Sequence, residues 1–351
     1  MNPPRFATAD LQRFARVLLE HTGLDTDKAR AVAEILVEGD LLGHDTHGLQ
    51  LLPMYLHDLQ NASMTKSGSP IVLRDRPVAL TWDGRRLPGP WLVLQAIDVA
   101  MQRAKDYGSC SVVIRRSHHI ACLAAYLKRV TDEGLMILLT TSDPNNTAVA
   151  PHGGRRGVYT PNPIAAGWPT GGDPVLIDVS TSITTNGMTE RLLAEARKFP
   201  GQWVIDGEGN VTDDPAVMED TPRGALLPLG GLEVGHKGYA LGLLVEALTG
   251  GLAGHGRADA QEGWAATVFL EVFDPASFAG HRDFVRQTAF LAAACRNTPP
   301  RPGVDRVRLP GERALALRAQ QLRDGVALHE SILPALRAWA DRLDVALPTP
   351  L

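Results

Sequence analysis

Two histidine-bearing segments hold the residues of this chain best suited to chemistry: Gly43-His44-Asp45-Thr46-His47-Gly48 and Ser117-His118-His119. Imidazole titrates near neutrality without a large shift, so it can supply or take the proton that accompanies hydride transfer to a ketone or imine. A neighbouring hydroxyl such as Thr46 can orient the ring. Residue types alone leave His47 and His119 open as acid/base groups or as structural histidines, and favour the structural reading for His44 and His118. His44 and His47 also have a spacing that could ligate a metal. No HExxH motif and no third ligand at a recognisable interval accompanies them, so no metal site is expected. Serine-hydrolase chemistry lacks its GxSxG, and a Rossmann dinucleotide site lacks its GxGxxG.

The segment Leu226 to Leu248 is unusually rich in glycine, at 230, 231, 235 and 238, which lets backbone approach a ligand closely. Within it Lys237 is one of six lysines against twenty-nine arginines, and a cation at a helix start suits a phosphate. The plainer alternative is a solvated lysine in a flexible loop. Arg308 to Arg313, RLPGER, could likewise cradle an anion or simply join two helices.

The elements that must position these groups follow from periodicity. Leu11, Phe14, Val17 and Leu18 mark a helix from Asp10 to His21 that stops at Gly23, and Thr26 caps a second through Val37. An amphipathic stretch from Leu49 to Leu59 follows GHDTHG, which places that motif at a helix junction where backbone groups are free. IVLRDRPVALTWDGR then reads as strand, turn, strand, and Trp91 to Ala104 as a helix ending at Gly108. The runs at 110–114, 135–141, 174–179 and 267–273 read as buried strands. A Pro-rich connector at 297–305 leads to a mostly helical Gly311 to Leu343, with Leu328, Ile332, Leu336 and Trp339 on one stripe. The expected fold is α/β, with an α+β-like mixed sheet covered by helices at 71–296. A helical part at 1–70 is expected to pack with C-terminal helices from 297–351.

A chain of 351 residues is long enough for such a division. With 44% hydrophobic and 21% charged residues it has ordinary globular composition. A formal charge of -4 gives no broad positive field, so neither nucleic acid nor a membrane is an expected partner and a small-molecule substrate is. Cys110, Cys122 and Cys295 form no CxxC and no even set, which fits a reducing cytoplasm, and the N-terminus has no signal pattern.

From about residue 8 to 345 the chain resembles the type-2 malate/L-lactate dehydrogenases, which include ureidoglycolate, sulfolactate and 2,3-diketogulonate enzymes and Δ1-piperideine-2-carboxylate reductases. The resemblance rests on GHDTHGLQLLPMYL, RRSHHIACLAAYL, NPIAAGWP, LIDVSTS, QWVIDGEGNVTDDP, LLPLGG with GHKGYALGLLVE, and RLPGERA, in that order. It implies a nicotinamide cofactor, NAD or NADP, bound without a Rossmann fold, and a homodimer with sites near the subunit interface. His47 is then the catalytic proton donor and acceptor, with Thr46 where a serine usually orients it. His119, Ile120, Ala121, Cys122 and Leu123 lie along the cofactor, and in some members His119 is itself proposed as the acid/base. Asp178, Val179, Ser180, His236, Lys237, Gly311, Glu312 and Arg313 complete the dinucleotide site.

The departures from that pattern bear on substrate. Leu51 stands where an arginine usually holds the substrate carboxylate, Asn186 where a second arginine is common, with Gly187 beside it, and Met188 where a carboxylate assists the histidine. Thr160-Pro161-Asn162-Pro163 replaces glycine-threonine-asparagine-proline, and Pro144-Asn145-Asn146 falls in a longer loop. Leu51, Pro161, Asn186 and Gly187 are thus the expected substrate wall. Losing two cations removes bidentate carboxylate recognition. The expected reaction is reduction or oxidation of a 2-keto/2-hydroxy acid-like substrate other than plain malate. Cyclic imine reduction and a cofactor-binding member without catalysis are the alternatives.

Overall fold

In this computed structural model residues 4–260 and 263–351 are described. A short strand β1 (Arg5–Phe6) precedes helices α1 (Thr8–His21) and α2 (Thr26–Leu41). Two 3-10 turns, Asp45–His47 and Leu49–Leu51, then lead into α3 (Leu52–Gln60). α1 buries a single stripe, Leu11, Phe14, Ala15, Leu18 and Leu19, as a 3.6-residue period requires. Asp25 rather than Thr26 takes the cap position of α2, and the helix runs past Val37 to Leu41. Buried residues occur nearly all round α2 because it packs on α1 and also on α4 (Gly89–Tyr107) and α5 (Ala124–Thr131). The stretch from Leu49 is helical, but its first turn is 3-10 and Pro53 sits in the first turn of α3, where no amide hydrogen is needed.

After α3 the chain alternates: β2 (Ile71–Arg76), β3 (Ala79–Asp83), α4, β4 (Ser109–Ser117), α5, β5 (Met136–Ser142), β6 (Ile164–Trp168) and β7 (Val175–Val179). Beyond α6 (Asn186–Ala194), strands β8 (Val204–Ile205), β9 (Val211–Thr212) and β10 (Ala225–Leu226) pair as a small separate sheet. α7 (Gly231–Val234), α8 (His236–Glu246) and a π-helical turn at Ala247–Gly251 lead to β11 (Ala266–Phe273). The chain ends with α9 (His281–Asn297), α10 (Glu312–Asp324), β12 (Val326–Ala327) and α11 (Ile332–Leu343). Gly325, at φ +88°, separates the last two helices, so Gly311 to Leu343 is mostly helical, as two helices.

Seven strands form the mixed sheet, in the order β2-β3-β4-β11-β5-β6-β7. β3 and β4 run parallel with α4 as the crossover, and the remaining neighbours are antiparallel. Alternation along the strands sorts the two faces. Val112, Ile114, Ile137, Leu139, Val268 and Leu270 join the largest core, beneath α2, α4 and α5. Val113, Leu138 and Phe269 point the other way, onto Leu248 and Ala253. The main core reaches from Phe6 to Ala340, because β1 pairs with β12 and α11 packs on α1 and α3. Leu328, Ile332, Leu336 and Trp339 are all buried in it. No described helix is long and apolar enough to cross a membrane.

Candidate active site

The strand directions create the site. β4, β5 and β7 point one way and β6 and β11 the other, so three C-terminal ends and two N-terminal ends share one edge of the sheet. Ser117 pairs with Ala266, Ser142 with Thr267, and Ile164 with both Thr140 and Val179. Loops leaving such an edge are free to meet a ligand. A cleft of about 680 Å³ opens there, walled on the far side by the 3-10 turns before α3 and the start of α6.

Thr46, His47, Leu51, His119, Ile120, Ala121, Cys122, Leu123, Pro161, Asp178, Ser180, Asn186 and Gly187 all line this cleft. The remaining expected residues do not line it. Val179 follows Asp178 on β7 and so points to the opposite face, where it is exposed. His236 and Lys237 begin α8, and the His236 ring lies against His152. Gly311 packs its Cα against Leu176, Glu312 pairs with Arg296, and Arg313 is exposed at the start of α10.

Two glycines let the histidine segments come together. A Cβ on Gly48 would fall 2.2 Å from Asp40 Oδ1, and one on Gly89 would fall 2.3 Å from the His119 carbonyl oxygen. The rings of His47 and His119 consequently stack with centroids 6.1 Å apart. Their partners differ. His47 Nδ1 lies 2.9 Å from Thr46 Oγ1, a hydroxyl able to donate or accept. His119 Nδ1 accepts the Ala121 N–H at 3.2 Å, which leaves Nε2 as the protonated nitrogen of the neutral ring. The buried Tyr55 hydroxyl donates to the His119 carbonyl at 2.8 Å, and Trp264 meets the His119 ring edge-on.

Burial, together with His44, pushes His47 down from 6.5 to about 4, and burial with His47 pushes His119 down to about 3. Both are neutral at pH 7. His118 is a different case: its Nε2 is 3.0 Å from Asp58 Oδ2 in the interior, while its buried Nδ1 makes no hydrogen bond. Burial also raises the carboxyls of Asp143 and Asp178 above the usual range.

Several residues at the site carry no motif. Arg191, on the second turn of α6, holds Asp45 Oδ1 at 2.9 Å and also Gln50 Oε1, so it ties α6 to the His47 turn. Its only sequence signal is helical spacing from Gly187 and Met188. Asp40 lies buried beneath the motif and accepts the Leu49 N–H at 2.9 Å, and burial pushes its carboxyl well up. Met54, Met188 and Leu51 give the cleft apolar lining, and among the described residues no lysine or arginine lines it, whereas Asp45, Asp143, Asp178 and Glu190 do.

Known proteins of the same shape and sequence pattern fit this geometry. A family described as malate/L-lactate dehydrogenase matches residues 6–337. An L-lactate dehydrogenase of Cupriavidus necator is 34% identical over 98% of this chain and 99% of its own. A Δ1-pyrroline-2-carboxylate/Δ1-piperideine-2-carboxylate reductase of Pseudomonas syringae is 29% identical, covering 93% of each. Among solved structures, a malate dehydrogenase from Pyrococcus horikoshii superposes with a TM-score of 0.88 at 29% identity, over 98% of this chain and 97% of that one.

Proposed function

The chain belongs to the malate/L-lactate dehydrogenase family, a family of oxidoreductases, and on that footing we propose its reaction. Hydride passes between a nicotinamide dinucleotide, NAD or NADP, and the reacting carbon of a 2-keto/2-hydroxy acid-like substrate. His47 is the general acid/base. The observation that carries this choice is the difference between the two ring partners. His119 cannot take a proton at Nδ1 without losing the Ala121 N–H, and its Nε2 already bears one. His47 faces a hydroxyl that follows either state. In oxidation His47 Nε2 takes the substrate hydroxyl proton while Nδ1–H donates to Thr46 Oγ1, so the ring keeps its orientation as it becomes charged. In reduction the same nitrogen returns the proton to the carbonyl oxygen. The Nε2–H of His119 is suited to hold that oxygen meanwhile.

A cleft of about 680 Å³ lies within the roughly 300–1,000 Å³ of small-molecule sites. The backbone from Ile120 to Leu123 on one wall and Asp178 and Ser180 on the other would hold the dinucleotide. Bound there, it supplies the hydride acceptor in oxidation and the donor in reduction. Cations for its phosphates come from outside this wall, and Lys237 is the candidate, brought in when two copies of the chain associate.

The carboxylate-rich, cation-free lining favours one second reading, reduction of a cyclic imino acid, since a protonated imine suits such a wall better than a dicarboxylate does. The name of the Pseudomonas relative agrees with it.

The test pairs both dinucleotides with lactate, malate and cyclic imines. His47→Ala should lower turnover by about 100-fold or more and leave dinucleotide affinity nearly intact by calorimetry. Near wild-type turnover would move the role to His119. Binding of a dinucleotide without turnover of any substrate would identify the chain as a binding protein.

A further inference from the structure

We propose that His44, Cys122 and Asp178 form a binding site for a thiophilic divalent cation such as Zn²⁺. His44 lies just before the first 3-10 turn, Cys122 between β4 and α5, and Asp178 on β7. One atom from each, an imidazole nitrogen, the thiol sulfur and a carboxylate oxygen, lies within 4.8 Å of the other two. The thiol stands 3.8 Å from Asp178 Oδ2, near the roughly 3.5 Å that separates two ligand atoms on a tetrahedral zinc. His44 and His47 lacked a third ligand in the sequence, and the fold supplies two to His44 from segments distant in the chain.

The surroundings suit a cation. The Ala124 N–H donates to Asp178 Oδ2 at 2.8 Å and fixes the carboxylate, as outer partners do for metal ligands. Among the described residues the His44 ring makes no hydrogen bond, so a nitrogen is open. Among the described residues no lysine or arginine lines this part of the cleft. A thiolate and a carboxylate would together neutralise a dication. Burial and Asp178 keep the Cys122 thiol protonated, so binding releases that proton to solvent as the sulfur–metal bond forms. Cys122 and Asp178 also stand on the walls assigned above to the dinucleotide, so the cation is tested in protein free of dinucleotide.

The test uses metal-free full-length protein titrated with Co²⁺, a spectroscopic stand-in for Zn²⁺. Expected are a near-ultraviolet thiolate-to-cobalt charge-transfer band saturating at one ion per chain, its loss on adding Zn²⁺, and proton release. Cys122→Ala, a small side chain among Ala124, Ala125 and Ala314, should abolish the band and weaken Zn²⁺ binding at least about tenfold. His44→Gln should weaken it likewise, and Cys295→Ser should leave band and affinity unchanged. A wild-type protein with no charge-transfer band, or a band that survives Cys122→Ala, overturns the proposal. Should Cys122→Ala not fold, unchanged Zn²⁺ affinity in His44→Gln overturns it.

Discussion

His47 and His119 are held neutral at a cost that acid reveals. Burial comes first among the causes of both shifts, taking His47 to about 4 and His119 to about 3 from 6.5. In the unfolded chain each takes up its proton as pH falls through about 6.5. The folded chain resists until pH 4 or below, so between these values the unfolded state binds more protons and stability falls as pH falls. Each histidine contributes up to about 1.4 kcal/mol per pH unit across that window. Urea midpoints should therefore decline below pH 6.5, and decline less steeply in His47→Gln/His119→Gln. Parallel declines in the two proteins would show that the load is carried elsewhere. Leu51 gives a second expectation at this scale. It lines the cleft and packs against the main core, so it offers no donor to a carboxylate. Leu51→Arg should raise kcat/KM for a simple 2-ketoacid relative to the best natural-type substrate, since discrimination follows transition-state contacts. A ratio that does not move refutes it. The pairing of Thr46 with His47 was legible from adjacency. The tautomer of His119 was not, because it depends on the Ala121 backbone, bent to φ +60° in a non-glycine residue.

At the scale of elements, helices and strands with one buried face were readable, and short or non-local ones were not. α1 and β5 announce themselves through Leu11, Phe14 and Leu18 and through the run from Met136. β6 is Ile-Ala-Ala-Gly-Trp, too small and glycine-bearing to suggest a strand, and is held by register with both β5 and β7. The insertion of β11 between β4 and β5 pairs residues more than a hundred positions apart, which periodicity cannot see. Arg191 escaped for the same reason. Its guanidinium, with the side chain 13% exposed, joins α6 to the turns that carry His47 and Leu51. Arg191→Met would leave Asp45 and Gln50 unpaired and free the wall formed by Asn186, Gly187 and Met188. We expect a stability loss of about 1–2 kcal/mol, allowing for the exposure of Asp45, together with a raised substrate KM. Dinucleotide affinity should change little, because the residues proposed to face it sit on the sheet edge. Wild-type KM in a stably folded Arg191→Met would show that the ion pair merely fills space.

For the whole molecule the two sides of the sheet are unequal. α4 and α5 cover one side, and α2 backs them. The other carries α8 and the π-helical turn, and beyond them apolar groups meet solvent: Val179, Leu229, Leu232, Val234, Leu241, Leu243, Leu244 and Leu252. Leu243 and Leu244 are each about half exposed, at 48% and 49%. We propose that these exposed apolar side chains belong to an association site whose occupant is a second copy of the chain. Lys237 begins α8, so it lies on the same element as this surface rather than in its own chain's cleft. In the proposed dimer the partner's lysine would meet a cleft that, among the described residues, has no lysine or arginine in its lining. Leu243→Asp/Leu244→Asp should therefore convert a dimer to a monomer by light scattering and weaken dinucleotide binding at the same time. Lys237→Ala should leave the mass unchanged and weaken dinucleotide binding by about 1–3 kcal/mol, the value of a lost charge-assisted hydrogen bond. A wild-type monomer, or a double aspartate variant that stays dimeric, would place the interface elsewhere. A monomeric variant that binds the dinucleotide at full strength would separate Lys237 from the site altogether.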